Sequence, residues 1–138
     1  MLFYIEKFTI LENFFKKAPF FYATKYFIIA LEKIKIKYEY IINSARRLDS
    51  PQIQAGKRAI QKKQGRAVRE GYNSPFSDIE INQENAEKLI NKIIYNADII
   101  VIRPQQTKIY LKNGQGISIE TKNAEFTGFV ELLKESEK

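Results

Sequence analysis

The chain of 138 residues contains no cysteine and no histidine, and each absence narrows the chemistry open to it. Without cysteine there is no disulfide, no thiolate-bound metal and no cysteine nucleophile. Without histidine there is no Ser-His-Asp or Cys-His arrangement, no histidine-ligated zinc, no HNH-type nuclease and no histidine base in a ribonuclease. Acid–base chemistry must therefore use Lys, Arg, Tyr, Asp or Glu side chains, and the sequence implies no cofactor.

Long apolar runs are also missing. The densest one, residues 19–31, is too short to span a membrane and is interrupted by Lys25. The first residues lack a basic region, and no small-residue cleavage site follows an apolar run, so we predict no signal peptide. Twelve Phe and Tyr residues nevertheless precede residue 41. We therefore divide the chain into an aromatic-rich segment, 1–43, and a remainder, 44–138.

Positive charge is concentrated in one stretch. The formal net charge is +7, and residues 44–70 carry eight Lys or Arg against Asp49 and Glu70. Residues 71–138 are slightly acidic by comparison. A local cationic excess of this kind favours a polyanionic partner such as nucleic acid or anionic lipid.

Residues 1–43 have a helical pattern that Pro19 interrupts. Before Pro19, apolar residues recur every three or four positions, as in Leu2, Ile5 and Phe8, which predicts a helix. Residues 34–41 alternate apolar and polar and are compatible with a strand, but we predict that 20–42 is helical. This segment either packs on the rest of the chain as a hydrophobic hairpin or contacts a membrane or a partner.

Residues 44–70 predict a basic helix, capped by Ser44 or by 49–51 and weakened by Gly65. Its few apolar positions leave a wide polar face. That face is either a solvated surface or a site for phosphate groups. The candidate RNA-binding residues are Lys57, Arg58, Lys62, Lys63, Arg66 and Arg69.

The C-terminal half predicts one helix and four short strands. Asn82 is the expected N-cap of a helix with an apolar stripe, and the strands fall near 99–103, 107–112, 117–120 and 125–131. Asn113-Gly114 marks a hairpin turn. We expect Gly128 to allow a bulge that brings the flanking aromatic residues, Phe126 and Phe129, to one face. The predicted fold class is α+β, with N-terminal helices followed by a four-stranded antiparallel β-meander.

A basic helix beside a small curved sheet suits cleavage of RNA without a metal ion. Such cleavage needs a base for the 2′-hydroxyl, cations for the transition state and a proton for the leaving oxygen. A Lys can be the base if burial or nearby positive charge lowers its pKa. Each candidate for the scissile site also has a structural interpretation, in the core, a turn or a strand. These candidates are Arg103, Tyr110, Gln115, Ser118 and Thr127.

Two segments at the end of the chain resemble a known family. Residues 108–119 (KIYLKNGQGISI) and 125–131 (EFTGFVE), with DSPQIQ at 49–54, YNSPF at 72–76 and NAEKLI at 85–90, are similar to C-terminal ribonuclease modules of bacterial polymorphic toxins. These modules end contact-dependent inhibition and Rhs-type proteins and belong to the barnase–EndoU–colicin–RelE-like superfamily. The resemblance covers about residues 44–132. Where members often carry Arg or Lys after the Gly-x-Gly turn, this chain has Ile117, Ser118 and Ile119.

The resemblance implies a metal-independent endoribonuclease toxin that cleaves RNA, plausibly tRNA, in the cytoplasm of a cell to which a larger secreted protein delivers it. It also implies a cognate immunity protein, which we expect to be acidic because it must cover a cationic site. The alternative is a nucleic-acid-binding protein without activity, such as a degenerate toxin or a phage-type accessory protein.

Overall fold

The computed structural model describes residues 3–6 and 20–132. The helices in these ranges are α1 (Phe20–Ile36), α2 (Tyr38–Ala45), α3 (Ala55–Glu70) and α4 (Gln83–Tyr95). The strands are β1 (Phe3–Glu6), β2 (Leu48–Ser50), β3 (Ile53–Gln54), β4 (Ile99–Ile102), β5 (Gln106–Tyr110), β6 (Gln115–Glu120) and β7 (Phe126–Glu131).

The main sheet has the strand order β1-β4-β5-β6-β7 and is antiparallel throughout. Its last four strands follow one another along the chain, which confirms the predicted α+β fold with a C-terminal meander. The helical prediction for the N-terminus is wrong at residues 3–6, where β1 pairs with β4 and Tyr4 lies opposite Val101. Strand pairing satisfies these backbone groups better than a short, isolated amphipathic turn could. The predicted helix before Pro19, and the break at Pro19, lie outside the described residues.

The helical prediction for residues 20–42 is confirmed. The alternating stretch lies in the end of α1 and in α2, which are separated at Lys37. Phe27, Ile34, Ile41 and Ile42 are buried in the same core as the residues of α4 and the meander. Helices α1 and α2 therefore share one hydrophobic core with the described residues that follow them.

The basic helix starts later than predicted. Ser44 lies inside α2, residues 48–54 form the small β2–β3 pair, and α3 begins at Ala55 with Gln54 as its N-cap. The Ser44 hydroxyl donates to the carbonyl of Ile41 and accepts from the backbone N–H of Phe126. It is thus used to join α2 to the sheet. Gly65 does not interrupt α3, which runs to Glu70.

The predicted second helix is confirmed as α4. Asn82 is its N-cap, and its side-chain oxygen accepts from the backbone N–H of Asn85 at 2.7 Å. The apolar stripe of α4 is buried against the sheet: Ala86, Leu89, Ile90, Ile93 and Ile94.

The predicted bulge in the last strand is also confirmed. The register of β6 and β7 shifts between Ser118, which faces Gly128, and Ile119, which faces Phe126. Gly128 has φ +151°, a conformation that favours glycine. The extra residue returns Phe126 and Phe129 to the core, where their rings lie 5.3 Å apart.

The two faces of the meander differ in what they contact. Register partners share a face, and Ile100, Ile109 and Ile117 lie in the core with the helices. Val101, Lys108, Ser118 and Gly128 are register partners on the opposite face. The edge strand β7 packs beside α3, so side chains of α3 can reach this edge.

Candidate nucleic-acid interface

The predicted cations of α3 lie on more than one side of the helix. Arg58, Lys62, Arg66 and Arg69 are separated by four, four and three residues, a spacing that places them along one face. Lys57 and Lys63 do not follow this spacing and lie outside that row. The structure therefore brings together four of the six candidate RNA-binding residues as one stripe, which we call the cationic stripe.

Two members of the cationic stripe form ion pairs. Lys62 lies 3.6 Å from Asp49, and Arg66 lies 3.1 Å from Glu70. The side chains in both pairs are more than one third exposed, and exposed pairs contribute little free energy. Exchange of such a carboxylate for a phosphate therefore costs little, and the stripe remains suited to a polyanion.

A cleft of about 240 Å³ lies between α3 and the edge strand β7. Its walls combine small residues of α3 with the bulged part of β7. The lining residues are Arg47, Asp49, Ala55, Ala59, Lys62, Lys63, Phe126, Thr127, Gly128 and Phe129. Arg47 holds one end of the cleft, because its guanidinium donates at 2.7 Å to the carbonyls of both Ser44 and Phe126.

Lys63 occupies a different position from the other cations of α3. It follows Ala59 and precedes Ala67 at intervals of four residues, in the row of small residues that α3 turns toward the sheet. Burial lowers the pKa of its ammonium group, and the charges of Arg66 and Lys108 lower it further, whereas Glu131 raises it. Within the ranges that the structure describes, no carboxylate lies within ion-pair distance of Lys63. These surroundings favour the neutral amine more than bulk water does.

Tyr72 and Glu131 form a hydrogen bond at the end of the edge strand β7. The Tyr72 hydroxyl donates to Glu131 Oε1 at 3.1 Å, and burial together with this hydrogen bond raises the pKa of the phenol. The other carboxylate oxygen, Oε2, is buried and has no hydrogen-bond partner among the residues described. Sequence reasoning missed both residues, since only the docking of β7 beside α3 makes them neighbours. For Lys63, the interrupted alanine row was an available signal.

Two of the five predicted scissile-site residues lie together at the bulge. The Thr127 hydroxyl donates to the carbonyl of Ser118 at 3.0 Å, and the Ser118 hydroxyl donates to Gln106 Oε1 at 3.1 Å. Thr127 also lines a polar groove of about 420 Å³, with Pro104, Gln105, Gln106, Glu120 and Lys122. The cleft and the groove therefore meet at Thr127.

The other three predicted residues lie elsewhere. Tyr110 is buried on the face opposite the helices, next to Gly116, where a Cβ would come within 2.5 Å of the Tyr110 ring. Gln115 is buried, and its amide donates to the carbonyl of Pro75 at 2.7 Å, beside the turn at Asn113. Arg103 is exposed just after β4. Their catalytic roles stay predictions.

The described residues contain neither a metal-binding cluster nor a membrane-spanning helix. Among residues 3–6 and 20–132, no cluster of three or more carboxylates is arranged to hold a metal ion. No helix in these ranges has the length and apolar character needed to cross a bilayer. No protein-family model, curated protein sequence or solved structure matches the chain.

Proposed function

We propose that the protein is a metal-independent endoribonuclease, a toxin module in which Lys63 is the general base. The observation that carries this proposal is the half-buried Lys63 amine in the cleft between α3 and β7, with a pKa lowered by burial and by neighbouring cations. A base is most effective when its pKa lies near the working pH. This chain has no histidine, so we assign the role to Lys63, whose pKa burial lowers from its ordinary value.

The proposed reaction is an intramolecular transesterification. The neutral Lys63 amine takes the proton of a ribose 2′-hydroxyl, and the 2′ oxygen attacks the adjacent phosphorus. The bond from phosphorus to the 5′ oxygen breaks, that oxygen takes a proton from water, and the Lys63 ammonium gives its proton to the hydroxide that remains. The products are a 2′,3′-cyclic phosphate and a 5′-hydroxyl. Lys62, which also lines the cleft, supports this step because a nearby cation stabilises the charge on the phosphoryl oxygens.

The cationic stripe and the polar groove suggest a path for the RNA. The stripe would hold the sugar-phosphate backbone along α3 by charge, without reading sequence. The RNA chain would then cross β7 at Gly128. Glycine has no side chain, and no atom lies within 4 Å of the position that a Cβ would take there. Beyond the bulge, the groove at Thr127 offers amide, carboxylate and hydroxyl groups that can contact a base.

The direct test is incubation of the purified protein with RNA in the presence of EDTA. We expect cleavage with cyclic-phosphate products, and Lys63→Ala should reduce the rate by about 10²–10⁴-fold, the usual contribution of a general base. Lys63→Arg keeps the positive charge but cannot lose its proton near neutral pH. It should therefore be nearly as inactive as the alanine variant. Lys88→Ala, which removes one exposed cation from α4, is the matched control and should cleave normally.

Full activity of Lys63→Arg would overturn the base assignment. Intact RNA together with tight, strongly salt-dependent binding would favour the alternative, a nucleic-acid-binding protein without activity. If the toxin proposal holds, expression should be toxic to bacteria and Lys63→Ala should relieve the toxicity. We also propose that an acidic immunity protein neutralises the module by covering the cationic stripe.

A further inference from the structure

Arg47 lines the cleft between α3 and β7, and the backbone holds one side of its guanidinium. Nη1 donates at 2.7 Å to the carbonyls of both Ser44 and Phe126, which uses its two hydrogens. The N–H donors of an arginine lie in one rigid plane, so fixing two of them also fixes the direction of the others. The guanidinium is therefore oriented before any ligand arrives.

The other edge of this guanidinium, formed by Nε and Nη2, has no hydrogen-bond acceptor within residues 3–6 and 20–132. The Glu125 carboxylate lies 3.8 Å from Nε, which is an ion-pair distance but too long for a hydrogen bond. Both side chains of this pair are more than one third exposed, so the pair contributes little free energy. Because the two free donor groups match two oxygens of a carboxylate or a phosphate, this edge is suited to an exchangeable oxyanion.

The charges that line the cleft also favour an anion. Arg47 shares the lining with Lys62 and Lys63, and the one carboxylate among the lining residues is that of Asp49. Asp49 lies 3.6 Å from Lys62 and therefore offsets only one of the three positive charges. A phosphodiester is complementary to this set, because its two non-bridging oxygens fit the arginine edge and its negative charge is attracted by the lysines.

We propose that Arg47 is a catalytic residue that binds the two non-bridging oxygens of the scissile RNA phosphate through Nε and Nη2. The inference rests on the proposed function, since it places that phosphate in the cleft that contains Lys63. Negative charge on these oxygens increases as the 2′ oxygen attacks phosphorus, and donors that are already fixed stabilise it without reorganising. In the free protein Glu125 lies near the same edge, and the phosphate displaces it.

The test is a calorimetric titration of the full chain with inorganic phosphate at constant ionic strength, with thermal unfolding to verify the fold of each variant. Arg47→Lys keeps the charge but cannot form two parallel hydrogen bonds, so it should bind phosphate about tenfold more weakly than wild type. The matched control is Arg46→Lys, which changes the preceding arginine, paired with Glu87 and not in the cleft lining. It should bind like wild type. No phosphate binding by wild type, or equal affinities in wild type and Arg47→Lys, would overturn the inference.

Glu125→Gln is a second test, which leaves Arg47 and its two backbone contacts in place and so stays informative if Arg47→Lys weakens the fold. Removing the competing carboxylate should raise the affinity for phosphate about two- to fivefold, the range expected for an exposed ion pair. Glu70→Gln removes the same charge from an exposed pair with Arg66, outside the cleft lining, and should raise the affinity less. Equal gains in the two variants, or no gain in Glu125→Gln, would contradict exchange at the Arg47 edge.

Phosphate binding does not need cleavage, so the two proposals can fail separately. A wild-type protein that binds phosphate through Arg47 but leaves RNA intact would contradict the proposed function alone. If RNA is cleaved, Arg47→Lys should lower the rate about 10²-fold, and an unchanged rate would overturn the inference while leaving Lys63 as the base. A short oligoribonucleotide should displace bound phosphate, whereas displacement by phosphatidylglycerol vesicles alone would overturn the assignment of an RNA phosphodiester.

Discussion

Helices α3 and α4 pack on the same sheet but use their residues in opposite ways. α4 turns five apolar side chains, four of them Leu or Ile, into the core. α3 buries mainly small residues, with Ile60 as its only large buried apolar side chain within the described part of the helix. The remaining positions of α3 are free to carry charge. The comparison indicates that α4 stabilises the fold, whereas α3 approaches the sheet closely and presents cations at its edge.

This division explains why the cleft lies beside α3. Ala55 and Ala59 leave little side-chain volume between the helix and β7, and the longer side chains of Lys62 and Lys63 also line the cleft. Lys63 lies within the alanine row and is half-buried, whereas the neighbouring Lys62 is exposed. Of the two helices, α4 thus supplies most of the apolar packing, and α3 supplies the cations.

The largest expected difference between the helices is in core stability. Ile90→Ala in α4 removes a completely buried side chain, and we expect it to lower the free energy of unfolding by about 2–5 kcal/mol. Val68→Ala in α3 truncates a side chain that is 82% exposed. It should change the free energy of unfolding by less than about 0.5 kcal/mol. Urea denaturation measures both. Similar losses for the two variants would contradict the division of roles.

The same contrast explains how much of the fold could be predicted. The Leu and Ile positions of α4 and the alternation of the strands are periodic signals, and both elements were predicted near their observed bounds. The Gly128 bulge was predictable because Phe126 and Phe129 cannot otherwise share a face. The start of α3 could not be predicted. Ser44 and Pro51 have the character of residues that begin a helix, but Ser44 lies inside α2 and Pro51 lies in a turn.

The candidate site was less predictable, for a physical reason. Its cations could be listed, but both Lys62 and Lys63 line the cleft, and only the docking of α3 beside β7 leaves Lys63 half-buried and Lys62 exposed. Tyr72 and Glu131 are 59 residues apart in sequence and meet only through tertiary packing. Thr127 and Ser118 could be listed as strand hydroxyls from the sequence, but the hydrogen bond between them depends on the pairing of β6 with β7.

Helix capping gives the next largest expected difference. Asn82 caps α4 through its side chain, so Asn82→Ala should cost about 0.5–2 kcal/mol of stability. Gln54 begins α3 without a side-chain cap hydrogen bond, and Gln54→Ala should cost less than about 0.5 kcal/mol. Thermal unfolding of both variants provides the comparison. An equal or greater loss in Gln54→Ala would show that α3 depends on its start as much as α4 does.

Glycine substitutions within α3 can sharpen the picture of its close approach. A Cβ at Gly65 would meet only the flexible end of Arg69, at 3.2 Å. Gly65→Ala should therefore stabilise the protein by about 0.5–1 kcal/mol through helix propensity. A Cβ at Gly56 would lie 2.9 Å from Gln83 and 3.0 Å from Ala86, both in α4. We expect Gly56→Ala to give no gain or a loss, and a gain equal to that of Gly65→Ala would argue against tight packing of the two helices.

The smallest expected difference concerns the ion pairs of the two helices. Arg46 donates two hydrogen bonds to Glu87 of α4, at 2.6 and 3.0 Å, and this contact lowers the pKa of the Glu87 carboxyl below its ordinary value of 4.5. A lowered folded-state pKa means that the carboxylate stabilises the fold above that ordinary value. This stabilisation is lost as the pH falls through the folded-state pKa.

Glu87→Gln should therefore cost about 0.2–1 kcal/mol at pH 7 and weaken the loss of stability on acidification. In α3, Glu70→Gln should change stability less at every pH, because its partner Arg66 and Glu70 itself are both more than half exposed, whereas the Glu87 side chain is 23% exposed. Urea denaturation at a series of pH values tests this. A wild-type acid dependence that survives unchanged in Glu87→Gln would mean that other carboxylates cause it, and that the ion pair of α4 is no more structural than that of α3.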